Sequence, residues 1–382
     1  MLPVWLVLVA ACSLSLSACF ESNGGSNYDP CGLRRESVSK ARVFAGAGAV
    51  AAVFNEGDLV MLGADGAFRW SVNPNVDWRT ALVRVVGDVA FVVDVAQGAV
   101  PWPNPVWVID GKGVTKKAGP KSECNPFTIQ PELDGVRLVG VAGQTACSYR
   151  VRANATVDDE VMFDGPGTHG VGLRNGGYVL VADGALIRYD AAGQTQWVRA
   201  DLAATRYLVE ADGGLFVIVA EADAWSVMWI GLDGVGERIA TRMPFIPGFD
   251  TAAGHFEETT LGIGTMFALG ADVIFEMSHY IGAHTLMRVS PTTVVWANTM
   301  RPQLETLVGV TEGQVLLSSE GSGVSSLDTS GVERFVQPKA LAATVSGETT
   351  YVVDTIQIDT CRRFGEVTAL APDGTARWTW HP

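Results

Sequence analysis

The chain has 382 residues, of which 48% are hydrophobic and 18% charged, with 43 glycines, a composition that excludes a disordered chain and describes a turn-rich folded one. Lys and Arg number 27 against 41 Asp and Glu, and the formal net charge of -14 excludes nucleic acid or an anionic membrane surface as the main partner, since both reward basic patches. Basic residues gather only in doublets such as Arg34-Arg35 and Lys116-Lys117.

Residues 1–18 read as a targeting segment: an apolar run from Leu2 to Ala11, then Cys12-Ser13-Leu14-Ser15-Leu16-Ser17-Ala18 leading to Cys19. Leu16-Ser17-Ala18-Cys19 resembles, residue by residue, the lipobox of a bacterial lipoprotein signal, although no Lys or Arg precedes the apolar run. That resemblance implies a mature chain beginning at Cys19, with acyl chains such as palmitate on its sulfur and amino group. Several chains together make a stable membrane anchor. Residues 19–39 begin with the polar, Gly/Ser/Asn-rich stretch Phe20 to Asp29, as expected of a flexible tether. Phe20, not Asp, follows the acceptor cysteine, which resembles the outer-membrane sorting choice of Gram-negative lipoproteins; that resemblance implies the outer membrane, with its periplasmic face expected in preference to the cell surface.

From residue 40 to 382 one pattern recurs: an apolar run, a turn glycine, and a Trp four residues later. Gly66/Trp70, Gly193/Trp197 and Gly374/Trp378 are full copies, while Gly113, Gly234 and Gly331 (with Phe335 in the Trp place) are partial ones. Asn154 and Thr292 stand where the glycine is missing, and Trp296 follows Thr292. Successive spacings of 47, 41, 39, 41, 58, 39 and 43 give eight units of four short strands, the expectation for an all-β propeller, with seven blades as the alternative. Asp183-Gly184 between two alternating apolar runs is a hairpin signal within one unit. The Ala-rich stretch Arg42 to Phe54 has helical propensity, yet Gly46, Gly48 and its place in the period assign it to strands. The Trp is expected to wedge between neighbouring blades, since no unit alone buries its sheet faces.

With Cys12 removed and Cys19 lipidated, Cys31, Cys124, Cys147 and Cys361 remain, an even number for an oxidising compartment. Four cysteines allow three pairings, and the sequence alone does not choose among them. Shared placement in the third unit suggests Cys124 with Cys147, which leaves Cys31 with Cys361 to tie the start of the propeller to its last blade. No CxxC pair exists, so these cysteines are not expected to bind a metal, and no cofactor is expected.

No nucleophile elbow, His-Glu-x-x-His or phosphate loop is present, and no catalytic residue is nominated. The histidines His169, His255, His279, His284 and His381 read as scattered loop and hairpin residues. The acidic run Asp158-Asp159-Glu160 reads as a solvated strand edge. Two segments are candidates for contact with a partner: the Pro-rich loop carrying Trp102 and Trp107, and the insertion from Met243 to Glu258 carrying Phe245 and Phe249.

On the anchors Gly66/Trp70, Asp190/Gly193/Trp197 and Gly374/Trp378, the chain resembles the quinoprotein-like β-propellers with pyrroloquinoline-quinone-type repeats. In size and layout it also resembles the lipoprotein subunit of the outer-membrane β-barrel assembly machinery. The first resemblance implies architecture. The second implies a non-catalytic scaffold for envelope proteins. The alternative is an enzyme or a glycan- or small-ligand-binding propeller that uses the channel mouth. Charged side chains clustered at one mouth would favour that alternative, and an apolar or plugged mouth the scaffold.

Overall fold

A computed structural model of the protein describes residues 41–381 except 56, 79, 96–104, 144, 183, 221–224, 242–261, 279–283, 300–304, 320–322 and 358–362. Of the two compact units in the chain, Met1–Ser37 with Gln357–Arg363 falls almost wholly outside these residues, and Val38–Ile356 with Phe364–Pro382 carries the sheets. Cys19, Cys31, Cys361, Trp102, Phe245, Phe249 and the 243–258 insertion therefore lie outside the described residues.

Among the described residues, six four-stranded antiparallel sheets and one seven-stranded sheet hold 31 strands. The larger sheet is two blades joined. Its strand Val157–Gly172 pairs with Thr145–Arg152 along its first part and with Tyr178–Ala182 along its second. It is thus the last strand of blade 3 and the first of blade 4, which makes eight four-stranded blades. The chain carries Asp164-Gly165-Pro166-Gly167 at the handover, residues that would normally turn. Pro166 pairs with Thr145 on one side, and pairing on the other side begins at Gly167, so the missing proline N–H falls where the strand changes partners.

The Ala-rich stretch forms the first hairpin, Ala41–Ala45 with Ala49–Phe54. Ala49 to Val53 are all buried, because small side chains let the two flanking blades close on it. Blade 8 ends with its own outer strand, Ala376–Trp380, so no strand is exchanged to close the ring. The first strands of successive blades contact one another in ring order, blade 8 to blade 1 included, and so line the axis.

The buried apolar residues fall into eight clusters, one at each junction between neighbouring blades. The junction of blades 8 and 1 joins Val43, Val50 and Leu62 to Tyr351, Val353 and Val367. Burial of each large side chain contributes about 1.5 to 3 kcal/mol, so blade-to-blade packing carries the fold, as the repeat required.

The repeat glycine is explained by one turn geometry between the third and fourth strands. In seven blades the amide of the turn's first residue donates to the carbonyl four residues on, and the amide three residues on donates back, as in the pairs Gly63/Gly66, Asp110/Gly113, Asp190/Gly193 and Ala371/Gly374. The returning residue has positive φ, 81° at Gly66. The aromatic ring of the preceding blade covers it: a Cβ on Gly66 would lie 2.7 Å from the Trp378 ring. Trp70 covers Gly113, Trp197 covers Gly234, and Phe335 covers Gly374 in the same way.

Two anchors differ from the sequence expectation. In blade 3 the left-handed position belongs to Ala155 (φ 69°), one residue past Asn154, whose side chain instead accepts the Thr156 amide. In blade 6 the turn is one residue shorter: Ser290 bonds Thr293, and the Ser290 hydroxyl accepts the Thr293 amide, so no positive φ is needed at Thr292.

Candidate functional site

The site is built on the hairpins that join first to second strands in blades 3, 4 and 5. They surround a cavity of about 610 Å³ lined by Gln130, Glu132, Leu133, Arg137, Arg150, Arg174 and Glu210 among others. Because first strands line the axis, this cavity opens at one mouth of the channel.

Blade 3 supplies most of the charge through its register. Gln130 pairs with Arg137, Arg137 with Arg150, and Arg150 with Asp158, a row across four strands. Two arginines directly opposite would repel. Glu132 resolves this by accepting from the Arg137 Nε with one oxygen, while its other oxygen lies 2.7 Å from the Arg150 Nε. Asp134 accepts from Arg150 and Arg152, and Asp158 from Arg152. Asp159, held at φ 52°, lies 3.8 Å from Arg137 and 3.9 Å from Arg150.

Arg137 is the buried centre, with a side chain 9% exposed, and also donates to the Tyr178 hydroxyl. Burial works to lower its pKa, but Tyr178, Glu132 and Asp159 more than reverse this, so it is held charged. For Asp134 desolvation acts upward, and Arg150 and Arg152 outweigh it, holding the carboxyl below its ordinary range. Across the cavity, burial raises Glu210 against the opposing Arg174 backbone amide, which it accepts at 2.8 Å. The Asp134 carboxylate is thereby held in its ionised form, which suits binding and framing better than proton transfer.

At the tip of the blade 3 hairpin Leu133 is 99% exposed beside this frame. The Cys124–Cys147 disulfide, with a Cα–Cα distance of 5.8 Å, fixes the entry of the same blade. Cys147 pairs with Gly140 on the strand between, and a Cβ on Gly140 would lie 1.9 Å from the Asn125 carbonyl oxygen. The glycine lets the chain entering blade 3 fold over that strand and reach its partner cysteine.

The acidic run is thus more than a solvated edge. Asp158 and Asp159 face arginines, and Glu160 accepts the Ser122 amide and hydroxyl at 2.9 and 2.8 Å. Trp107 lies half-buried on the third strand of blade 2, packs against the core shared with blade 1, and carries the Lys117 ammonium 4.1 Å above its ring. His169 sits on the strand shared by blades 3 and 4, and His381 pairs with Glu366 at 3.2 Å. His255 and His279 lie outside the described residues, as does the side chain of His284. No cluster of three potential ligand residues capable of holding a metal occurs among the described residues.

Sequence reasoning missed Glu132, Leu133, Arg137 and Arg150. The usable signal was the spacing of arginines at 137, 150 and 152 around a hairpin, which would have placed like charges opposite each other and required acids between them.

No family model matches the chain, and no curated protein matches it. Among solved structures it is similar to apo AztD from Citrobacter koseri, with 11% identity over 90% of this chain and 95% of that one and a TM-score of 0.51. A computationally designed protein gives 14% identity over 78% of this chain and 85% of that one, with a TM-score of 0.50. BamB from Moraxella catarrhalis gives 15% identity over 72% and 81%, with a TM-score of 0.44. At such identities the likeness concerns the fold: the protein is an eight-bladed β-propeller.

Proposed function

We propose that the protein is a lipoprotein of the bacterial envelope, anchored through Cys19 at the periplasmic face of the outer membrane. Its propeller acts there as a non-catalytic scaffold for another envelope protein. The observation that carries the reading is Leu133, a fully exposed apolar side chain at the tip of a hairpin whose base is locked by ion pairs. A rigid, exposed apolar tip is what a protein partner can cover at little cost in ordering. The lipobox at residues 16–19 and the Cys124–Cys147 disulfide support export to an oxidising compartment.

A second reading rests on the charged cavity beside Leu133, the arrangement expected of a propeller that binds a glycan or small ligand at its mouth. The scaffold stands first because the charges of blade 3 are spent on one another: Glu132, Asp134, Asp158 and Asp159 all face Arg137, Arg150 or Arg152.

Affinity purification of the lipidated protein from native envelope membranes tests the reading. The scaffold predicts a stoichiometric envelope protein that is lost in Leu133→Asp and retained in Val332→Asp, a control at an exposed apolar residue of another blade. A partnerless monomer, or a partner indifferent to Leu133, would sink it and leave the small-ligand reading.

A further inference from the structure

Leu133 and the cavity beside it form one patch, and its charges narrow the chemistry of the partner that covers it. The hairpins that join first to second strands stand round one mouth of the channel, one from each blade. Their tips carry the acids Asp88, Asp134, Asp212, Glu312 and Glu348, in blades 2, 3, 5, 7 and 8. The tips of blades 1 and 6, Gly46-Ala47-Gly48 and Gly270-Ala271, are uncharged, and the one base among these tips is Arg174 of blade 4. Arg174 is itself held by acids, 2.5 Å from Asp212 and 3.9 Å from Glu210, and Arg69 of an outer strand lies 3.9 Å from Asp88.

At the inner wall of the cavity the two signs are sorted by depth. Asp134, Asp159 and Asp212 are 48%, 52% and 58% exposed, against 9% for Arg137 and 18% for Arg150. These two arginines are spent on Glu132, Asp134 and Tyr178. Around the cavity the six acids Glu132, Asp134, Asp158, Asp159, Glu210 and Asp212 meet four arginines, so the surplus is negative and lies toward the surface. A carboxylate has about four acceptor positions, and an arginine on one side leaves others open to a second cation.

The rest of the patch is apolar or neutral. Val171, Leu173 and Val209 line the cavity, and Leu133 projects at its rim. The Gln130 amide lines it too, so close to the next blade that a Cβ on Gly172 would lie 2.6 Å from its Oε1. Projection and hollow adjoin, a shape met by a segment that lays one side chain over Leu133 and sends another into the cavity. The sign of the patch opposes an anionic lipid surface, and a net charge of -14 sets two copies of the chain against each other.

We infer, resting on the scaffold reading, that the mouth binds a basic segment of the partner protein in which an apolar side chain lies between lysines or arginines. The apolar side chain covers Leu133, and the flanking cations meet Asp134 and Asp159 on blade 3 and Asp212 on blade 5. Lys and Arg stems add apolar cover over Leu133 while their charged heads stay in water. Opposite potentials also steer the encounter, so the segment is drawn to the mouth before it docks.

Fluorescence anisotropy of the full chain tests this with short labelled peptides of alternating Lys-Leu, Ser-Leu and Glu-Leu sequence, each variant first shown to keep the wild-type circular dichroism. The Lys-Leu peptide should bind about tenfold tighter than Ser-Leu, and Glu-Leu should not bind. Raising salt from about 50 to about 300 mM should weaken Lys-Leu about fivefold. Asp134→Asn together with Asp212→Asn should cost about tenfold, and Leu133→Ser about fivefold. Glu312→Gln, on the blade 7 tip directly across the mouth, should change affinity less than about twofold. Equal affinities for Lys-Leu and Ser-Leu, no salt dependence, or an equal loss in Glu312→Gln would each overturn the inference. If an envelope protein is captured through Leu133 while the peptides bind alike, the scaffold stands and the basic segment falls. If Lys-Leu binds with this pattern and no envelope protein is captured, the scaffold falls and the site for a basic segment remains.

Discussion

The Trp378 indole Nε1 donates to the Ala64 carbonyl at 2.8 Å, across 314 residues of sequence, while its ring lies over Gly66. The last blade thereby makes with the first the contact that Trp197 makes with Leu232 and Gly234, and Trp296 with Thr329. The ring closes by repeating its internal joint once more.

Trp378→Ala should therefore behave as the loss of a whole joint. Removing a half-buried indole and its hydrogen bond is expected to cost about 2 to 3 kcal/mol. Trp378→Phe keeps the cover over Gly66 and should cost about 1 kcal/mol. Urea unfolding monitored by circular dichroism distinguishes the two, and equal midpoints for both variants would contradict the joint.

Reducing Cys124–Cys147 should lower stability by about 3 kcal/mol, from the entropy of a loop spanning 23 residues. Gly140→Ala should be at least as damaging, because its methyl group falls on the Asn125 carbonyl. Free-thiol titration of that variant should find Cys124 and Cys147 unpaired; a fully formed disulfide would show that the strand crossing tolerates a side chain.

Glu132→Gln removes the nearer of the two anions that Arg137 and Arg150 share, leaving Asp159 at 3.8 and 3.9 Å, and is expected to cost about 3 kcal/mol, as removal of one partner from a buried pair does. Adding Arg150→Gln to that background should recover part of the loss. Strictly additive destabilisation in a double-mutant cycle would mean that the network has no such coupling.

Acid sensitivity should arise at the turns. The Asp328 carboxyl is held below its ordinary 3.8 first by the Ser330 hydroxyl and then by the Val332 amide, and that of Asp373 by the Thr375 hydroxyl and amide. Carboxyls lowered on folding stabilise the protein above their unfolded pKa and lose that contribution as pH falls through the folded one. The thermal midpoint should thus be level near neutrality and decline below about pH 4. Asp328→Asn with Asp373→Asn should make that decline shallower, measured by melts from pH 7 to pH 2.

The blades were legible in the sequence because Gly and Trp perform a stereochemical task that few other residues can share: a left-handed turn and a flat cover for it. Where another device replaces the glycine, as the Ser290 hydroxyl does in blade 6, the anchor could be placed only approximately. The mouth was not legible, because Glu132, Arg137, Arg150 and Asp158 lie on four strands and meet only through their register. The shared strand was hidden as well, since Asp164-Gly165-Pro166-Gly167 reads as a turn until the ladders on either side are known.

That shared strand, Val157–Gly172, removes one seam from an otherwise modular array. Elsewhere a blade could be duplicated, deleted or opened into new termini at the link between two sheets. Here such an event would have to cut through continuous backbone pairing, so blades 3 and 4 form a single structural piece. The arginine–carboxylate frame of blade 3 and Leu133 sit on that piece, so the charged part of the mouth and its apolar tip share one uninterrupted sheet.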